Sequence, residues 1–93
     1  MKYRNRTEIT AMILDAANGE TTKTKIMYNA YLSYNQLKEF LSILTENNLL
    51  EYIEGARAYK TTEKGFNFLK MHREMAELLQ TTTIKNDEDD ELI

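Results

Sequence analysis

The residue types that carry covalent or metal chemistry are scarce in this sequence. It has no cysteine, which removes thiolate nucleophiles, disulfides and zinc-thiolate sites. Its one histidine, His72, has no cysteine, aspartate or second histidine at ligand spacing and reads as a surface or interface residue. No paired carboxylates, glycine-rich phosphate loop or nucleophile elbow is present, so no metal, no cofactor and no enzymatic activity are expected. What the sequence offers instead is hydrogen bonding and positive charge. Leu37, Phe40, Leu41 and Leu44 recur at helical spacing. At about 100° per residue, setting them inward turns Asn35, Lys38, Glu39, Ser42 and Glu46 outward. These side chains suit the edges of bases: an amide for adenine, an ammonium for guanine or phosphate, a carboxylate accepting from cytosine. Ser33 and Tyr34, at the start of the same helix, are placed to reach phosphate. The two outward glutamates work against that role, because they repel phosphate.

Basic residues are the second signal. The net charge of −3 conceals a division. Residues 81–93 set Lys85 against five acids, a local −4, and leave +1 for residues 1–80, with 11 bases and 10 acids. The first forty residues hold six bases and four acids. Arg4 and Arg6 lie in an N-terminal arm, Lys23 and Lys25 flank the start of a second helix, and Arg57 and Lys60 sit on a hairpin. Three separate basic spots on one side of a fold are what anchoring to a phosphate backbone requires.

The elements that must position these residues are legible in the pattern. A first helix is expected over 6–18, started by a capping box of Asn5 and Glu8, with Thr7 as a rival cap, and stopped at Asn18-Gly19, with Gly19 suited to the left-handed position. A short second helix over 23–30 has Thr22 as its cap and Ile26, Met27 and Ala30 inward. The third, 34–46, begins with a capping box of Ser33 and Gln36 and ends at Asn47-Asn48. Leu49 to Glu54 and Arg57 to Lys60 read as two strands turning at Gly55. A fourth helix is capped by Thr61 or Thr62 and continues to about Gln80. Its Phe66, Leu69, Ala76 and Leu79 lean one way, and Phe68, Met71, Met75 and Leu78 form an a/d seam. The acidic segment after 81 is expected to be mobile and to compete with phosphate for the bases.

Ninety-three residues, 42% of them hydrophobic, make one domain. No apolar run approaches bilayer length, and a basic start without an apolar run is not a signal peptide, so a cytoplasmic protein without a membrane partner is expected. The order helix, helix, helix, strand, strand, helix matches a winged helix-turn-helix: mainly α with a small β-hairpin and a C-terminal helix. The division expected is a winged unit over 1–61, the C-terminal helix over 62–80 and the acidic tail over 81–93.

Several phrases carry a resemblance to a family. They are Thr24-Lys25-Ile26-Met27, Leu32-Ser33-Tyr34-Asn35-Gln36-Leu37, Leu41-Ser42-Ile43-Leu44, Asn48-Leu49-Leu50 and Tyr59-Lys60-Thr61-Thr62-Glu63-Lys64-Gly65. Over residues 2–80 the chain resembles small archaeal winged-helix proteins, among them predicted transcriptional regulators and ten-kilodalton chromatin-associated proteins that dimerise through a C-terminal helix. The resemblance implies a homodimer on double-stranded DNA, acting in transcription regulation or chromatin, and indicates no small-molecule effector. The expected DNA-binding residues are Arg4, Arg6, Lys23, Lys25, Ser33, Tyr34, Asn35, Lys38, Ser42, Arg57 and Lys60, with 34–46 as the recognition helix in the major groove. The expected coiled-coil dimer seam is Phe68, Met71, Met75 and Leu78. The alternative is a winged helix whose outward face meets a protein rather than DNA.

Overall fold

The structure, a computed structural model, describes residues 4–92, with side chains described as far as Leu79. Its elements are α1 (Arg6–Ala16), α2 (Lys23–Asn29), α3 (Tyr34–Glu46), β1 (Leu50–Ile53), β2 (Ala58–Thr61) and α4 (Glu63–Leu92). This is the expected order: four helices and a two-stranded antiparallel hairpin.

Each of the first three helices starts where its cap dictates. Asn5 accepts from the Glu8 amide while the Glu8 carboxylate accepts from the Asn5 amide, and Ser33 and Gln36 repeat the exchange at α3. Thr22 accepts from the Lys25 amide to start α2. The ends differ from expectation. α1 finishes at Ala16 with Ala17 as its cap, and Gly19 does not take a left-handed conformation. Its last carbonyls are instead satisfied from β2: the Thr61 hydroxyl donates to Leu14 O at 2.6 Å and the Thr61 amide to Ala17 O at 2.9 Å. A buried threonine thus does the work of a C-cap and fixes the hairpin to α1.

α2 and α3 both end in a Schellman motif, with the crossed backbone bonds Leu32 N to Met27 O and Leu49 N to Leu44 O. The left-handed residue is Asn48 (φ 62) after α3, as its type suggests, and Tyr31 (φ 55) after α2. The hairpin turn was expected at Gly55. The left-handed residue there is Arg57 (φ 51), so Arg57 belongs to the turn rather than the strand.

The core joins all six elements. Ile13, Leu14, Ala17, Ile26 and Ala30 are fully covered, with Leu37, Phe40, Leu41, Leu44, Leu50 and Leu69 around them. The inward stripe expected of α3 is therefore the buried one. α4 enters this core through Gly65, where a Cβ would collide with the Leu49 carbonyl oxygen and the Thr61 methyl. A methyl there costs roughly 1–3 kcal/mol, because the obstacle is backbone. That close approach sets the rotation of α4. Leu69 is buried, Phe68 packs against the core and stacks on His72, and Phe66 and Leu79 face solvent. Of the stripe expected to lean on the domain only Leu69 is buried, and Phe68, expected on the outer seam, turns partly inward.

α4 continues to Leu92, past the end expected near Gln80. Neither proline nor glycine interrupts the sequence after Gly65. The side chains of the acidic segment over 81–93 lie outside the described residues. No helix among the described residues is long and apolar enough to cross a membrane.

Candidate nucleic-acid interface

The surface that gathers the basic residues is the space between α3, the start of α2 and the hairpin. An extra pairing builds it. The Thr21 amide donates to Tyr59 O at 3.0 Å and the Tyr59 amide to Thr21 O at 2.7 Å, an isolated antiparallel bridge that ties the residue before the α2 cap to the free edge of β2. Thr21 immediately precedes the cap of α2, so this bridge holds Lys23 beside Tyr59. No propensity of Thr21 announced it, since one bridge leaves no periodic trace in the sequence.

Two shallow clefts meet there. One, of about 270 Å³, is lined by Lys23, Leu37, Lys38, Leu41, Ser42, Thr45 and Tyr59. The other, of about 360 Å³, is lined by Thr22, Lys23, Thr24, Tyr52, Arg57 and Tyr59. Lys23 and Tyr59 belong to both, so the surface runs unbroken from the outer face of α3 to the hairpin turn. Its cations are Lys23, Lys38 and Arg57, and no carboxylate lines either cleft.

Tyr52 and Tyr59 face one another across the β1–β2 register, with ring centroids 5.0 Å apart. Burial, and then the neighbouring Tyr52, push the Tyr59 phenol above the usual tyrosine range, so it stays a neutral hydroxyl at physiological pH. The two tyrosines and Thr45 were not among the expected contacts. The alternation of the strands was the available signal, because Leu50 and Tyr52 share one face of β1 and residues cross-paired with them share it too.

The remaining expected residues fall into separate places. Ser33 is occupied as the α3 cap. Tyr34, Asn35 and Lys38 are exposed along the first turns of α3, and the Lys38 ammonium lies 5.5 Å from the Tyr34 ring centroid. Arg6 sits over the Phe40 ring and 3.7 Å from the Glu39 carboxylate, so it partly neutralises one of the two outward glutamates. Arg4 is not a free arm residue. Its guanidinium donates to the Ala30 carbonyl and, at 2.8 Å, to the Tyr31 carbonyl, with Nη1 also 3.2 Å from the Met12 sulfur. Lys25 is exposed but lines neither cleft. Lys60 pairs across the hairpin with Glu51, on the face opposite Tyr59. Of the expected set, the structure brings together Lys23, Lys38, Ser42 and Arg57, and sets Arg4, Arg6, Lys25 and Lys60 apart from them.

A helix–turn–helix followed by a hairpin folded back beside its second helix is a distinctive arrangement, and a family model described as winged helix-turn-helix matches residues 3–80. The chain belongs to the winged helix-turn-helix family. In that frame α2 and α3 are the helix-turn-helix pair, α3 stands in the position of the recognition helix, and the β1–β2 hairpin is the wing. The crystal structure of Sso10a-2, a DNA-binding protein from Sulfolobus solfataricus, is similar to this winged helix with a TM-score of 0.83 at 22% identity, covering 97% of each chain. That likeness is one of fold and extends over α4. No curated protein matches the chain.

Proposed function

We propose that this winged helix binds double-stranded DNA, with α3 in the major groove and the wing and the start of α2 against the flanking backbone. The observation that carries the reading is the surface between α3 and the wing on which Lys23, Lys38 and Arg57 converge, with no carboxylate lining its two clefts and Glu51 only in the cleft that adjoins them past Tyr52 and Tyr59. Phosphate contacts from such cations supply most of the affinity, and Asn35 and Ser42 on the exposed side of α3 are the residues to read base edges. The DNA-binding description of Sso10a-2, a protein of the same fold, agrees with it.

The active species in this reading is a homodimer joined through α4. Met71 and Met75 are 57% and 56% exposed one helical turn apart, followed by exposed Leu78. An apolar row of this kind on a charged helix is the mark of a protein contact. The distribution of charge favours an antiparallel pair. Residues 63–73 hold three bases and one acid, and 74–92 hold seven acids and one base. A parallel pair would set the two acidic halves side by side. A role in transcription regulation or in chromatin follows from either outcome of DNA binding, sequence-selective or general.

The test is a gel shift on random-sequence duplex with the full chain and with Lys23→Ala/Lys38→Ala. The full chain should shift the duplex at about 50 mM salt and the double variant should need about tenfold or more protein. A full chain that shifts no duplex at that salt would leave the same surface to a protein partner.

A further inference from the structure

The turn between α2 and α3 contains a residue that the fold itself does not ask for. The C′ position of a Schellman motif takes a left-handed backbone, which glycine adopts freely and asparagine tolerates. The equivalent turn after α3 uses Asn48. The turn after α2 uses Tyr31, at φ 55, with its side chain 76% exposed. A bulky residue in this region is strained, and burial gives no reason for it here. The phenol has no hydrogen-bond partner among the described residues. Its backbone is nonetheless held firmly. The Leu32 amide closes the motif onto Met27 O, and Arg4 donates to the carbonyls of Ala30 and Tyr31.

The surroundings indicate what this side chain meets. From Thr21 to Lys38 the sequence holds three lysines and no carboxylate. Tyr28, Tyr31 and Tyr34 recur at intervals of three through this stretch and are 70%, 76% and 56% exposed. Tyr34 lies beneath the Lys38 ammonium, and Lys38 lines the cleft assigned to DNA. In sequence the tyrosine turn leads into the end of α3 that carries Lys38, within the acid-free stretch, while its anchor Arg4 also lines a cleft with Glu8 and Asp15 of α1. A phenol offers a neutral donor to an anionic oxygen together with a flat apolar body, which suits the sugar–phosphate backbone.

We propose that Tyr31 is a DNA-backbone contact, with its hydroxyl donating to a phosphate oxygen beside the segment read by α3. Arg4 is its positioning residue, holding the left-handed turn by its two carbonyls rather than binding phosphate itself. This inference rests on the DNA-binding reading and extends its footprint to the α2–α3 turn.

The test uses the full chain and a fluorescent random-sequence duplex, with Tyr31→Gly, Tyr31→Phe and, as reference, Lys38→Ala. Glycine relieves the left-handed strain, so Tyr31→Gly should melt no lower than the parent chain. It should nevertheless bind duplex about three- to tenfold more weakly, and Tyr31→Phe should weaken binding by a similar factor for want of the hydroxyl. Because tyrosine is neutral, neither variant should change the slope of log affinity against log salt, whereas Lys38→Ala should reduce it by about 1. Parental affinity in both Tyr31 variants, with Lys38→Ala weakened, would overturn the tyrosine contact and leave DNA binding intact. A parent chain that binds no duplex would overturn both.

Discussion

The groove between α3 and the wing and the outer row of α4 are both open to solvent, yet their chemistry differs in the way the proposed DNA and dimer contacts require. The groove sets Lys23, Lys38 and Arg57 among tyrosine, serine and threonine, on elements fixed by backbone bonds from Thr21 and Thr61. The row on α4 presents Met71, Met75 and Leu78 among charged neighbours. Cations beside neutral hydroxyls stay hydrated until an anion replaces the water and releases its own counterions. Methionine and leucine have no such exchange to make and gain only by leaving water. In the proposed reading, binding at the first surface should therefore be sensitive to salt and insensitive to apolar substitution, and pairing through the second the reverse. Gly65 links them, because it lets α4 touch the Leu49 carbonyl just before β1 and so ties the orientation of the apolar row to that of the wing.

The largest effect expected from this contrast is at α4. Met71→Glu together with Met75→Glu should convert a dimer into a monomer by sedimentation at tens of micromolar, and should weaken duplex binding by about 10²-fold through loss of the second half-site. The fold should survive, since both side chains face solvent. A parent chain that sediments as a monomer would remove the dimer from the account.

A smaller effect separates the two faces of the wing region. Lys38→Ala, in the groove, should weaken every duplex by about three- to tenfold. Lys60→Ala, opposite Glu51 on the other face, should change affinity by less than about twofold, close to the value of an exposed pair. Equal losses in the two variants would mean that DNA approaches from another side.

The smallest effect belongs to the acidic end. Removing residues 84–93 deletes five acids and Lys85, and should tighten non-specific binding by about two- to threefold at low salt, with the gain vanishing as salt screens the segment. Equal affinity of the truncated and full chains at about 50 mM salt would show that the segment does not compete with DNA.

Much of the scaffold was legible because its signals are local. Asn5-Glu8, Ser33-Gln36 and Thr22 each start a helix within four residues, and Leu37, Phe40, Leu41 and Leu44 define a buried stripe by spacing alone. The site was legible only in part, because convergence is not local. Lys23 and Arg57 are brought together by a single bridge at Thr21, which no pattern announces. Arg4 looked like a free cation in an arm, and is committed to two carbonyls near residue 30. Phe68 looked like part of an outer seam, and is turned toward the core by the close packing at Gly65. The left-handed positions at Tyr31 and Arg57 went unread because the residue types there argue against them, whereas Asn48 announced itself.

The central claim is that the groove between α3 and the wing binds the phosphate backbone of duplex DNA. Its most direct test is the affinity of the full chain for a random-sequence duplex measured across a range of salt. Four to six phosphate contacts per dimer predict a slope of log affinity against log salt of roughly −4 to −5. Lys23→Ala/Lys38→Ala should bring that slope closer to zero by about 1 for each phosphate left without its lysine. A slope near zero, or one that the double variant leaves unchanged, would contradict it.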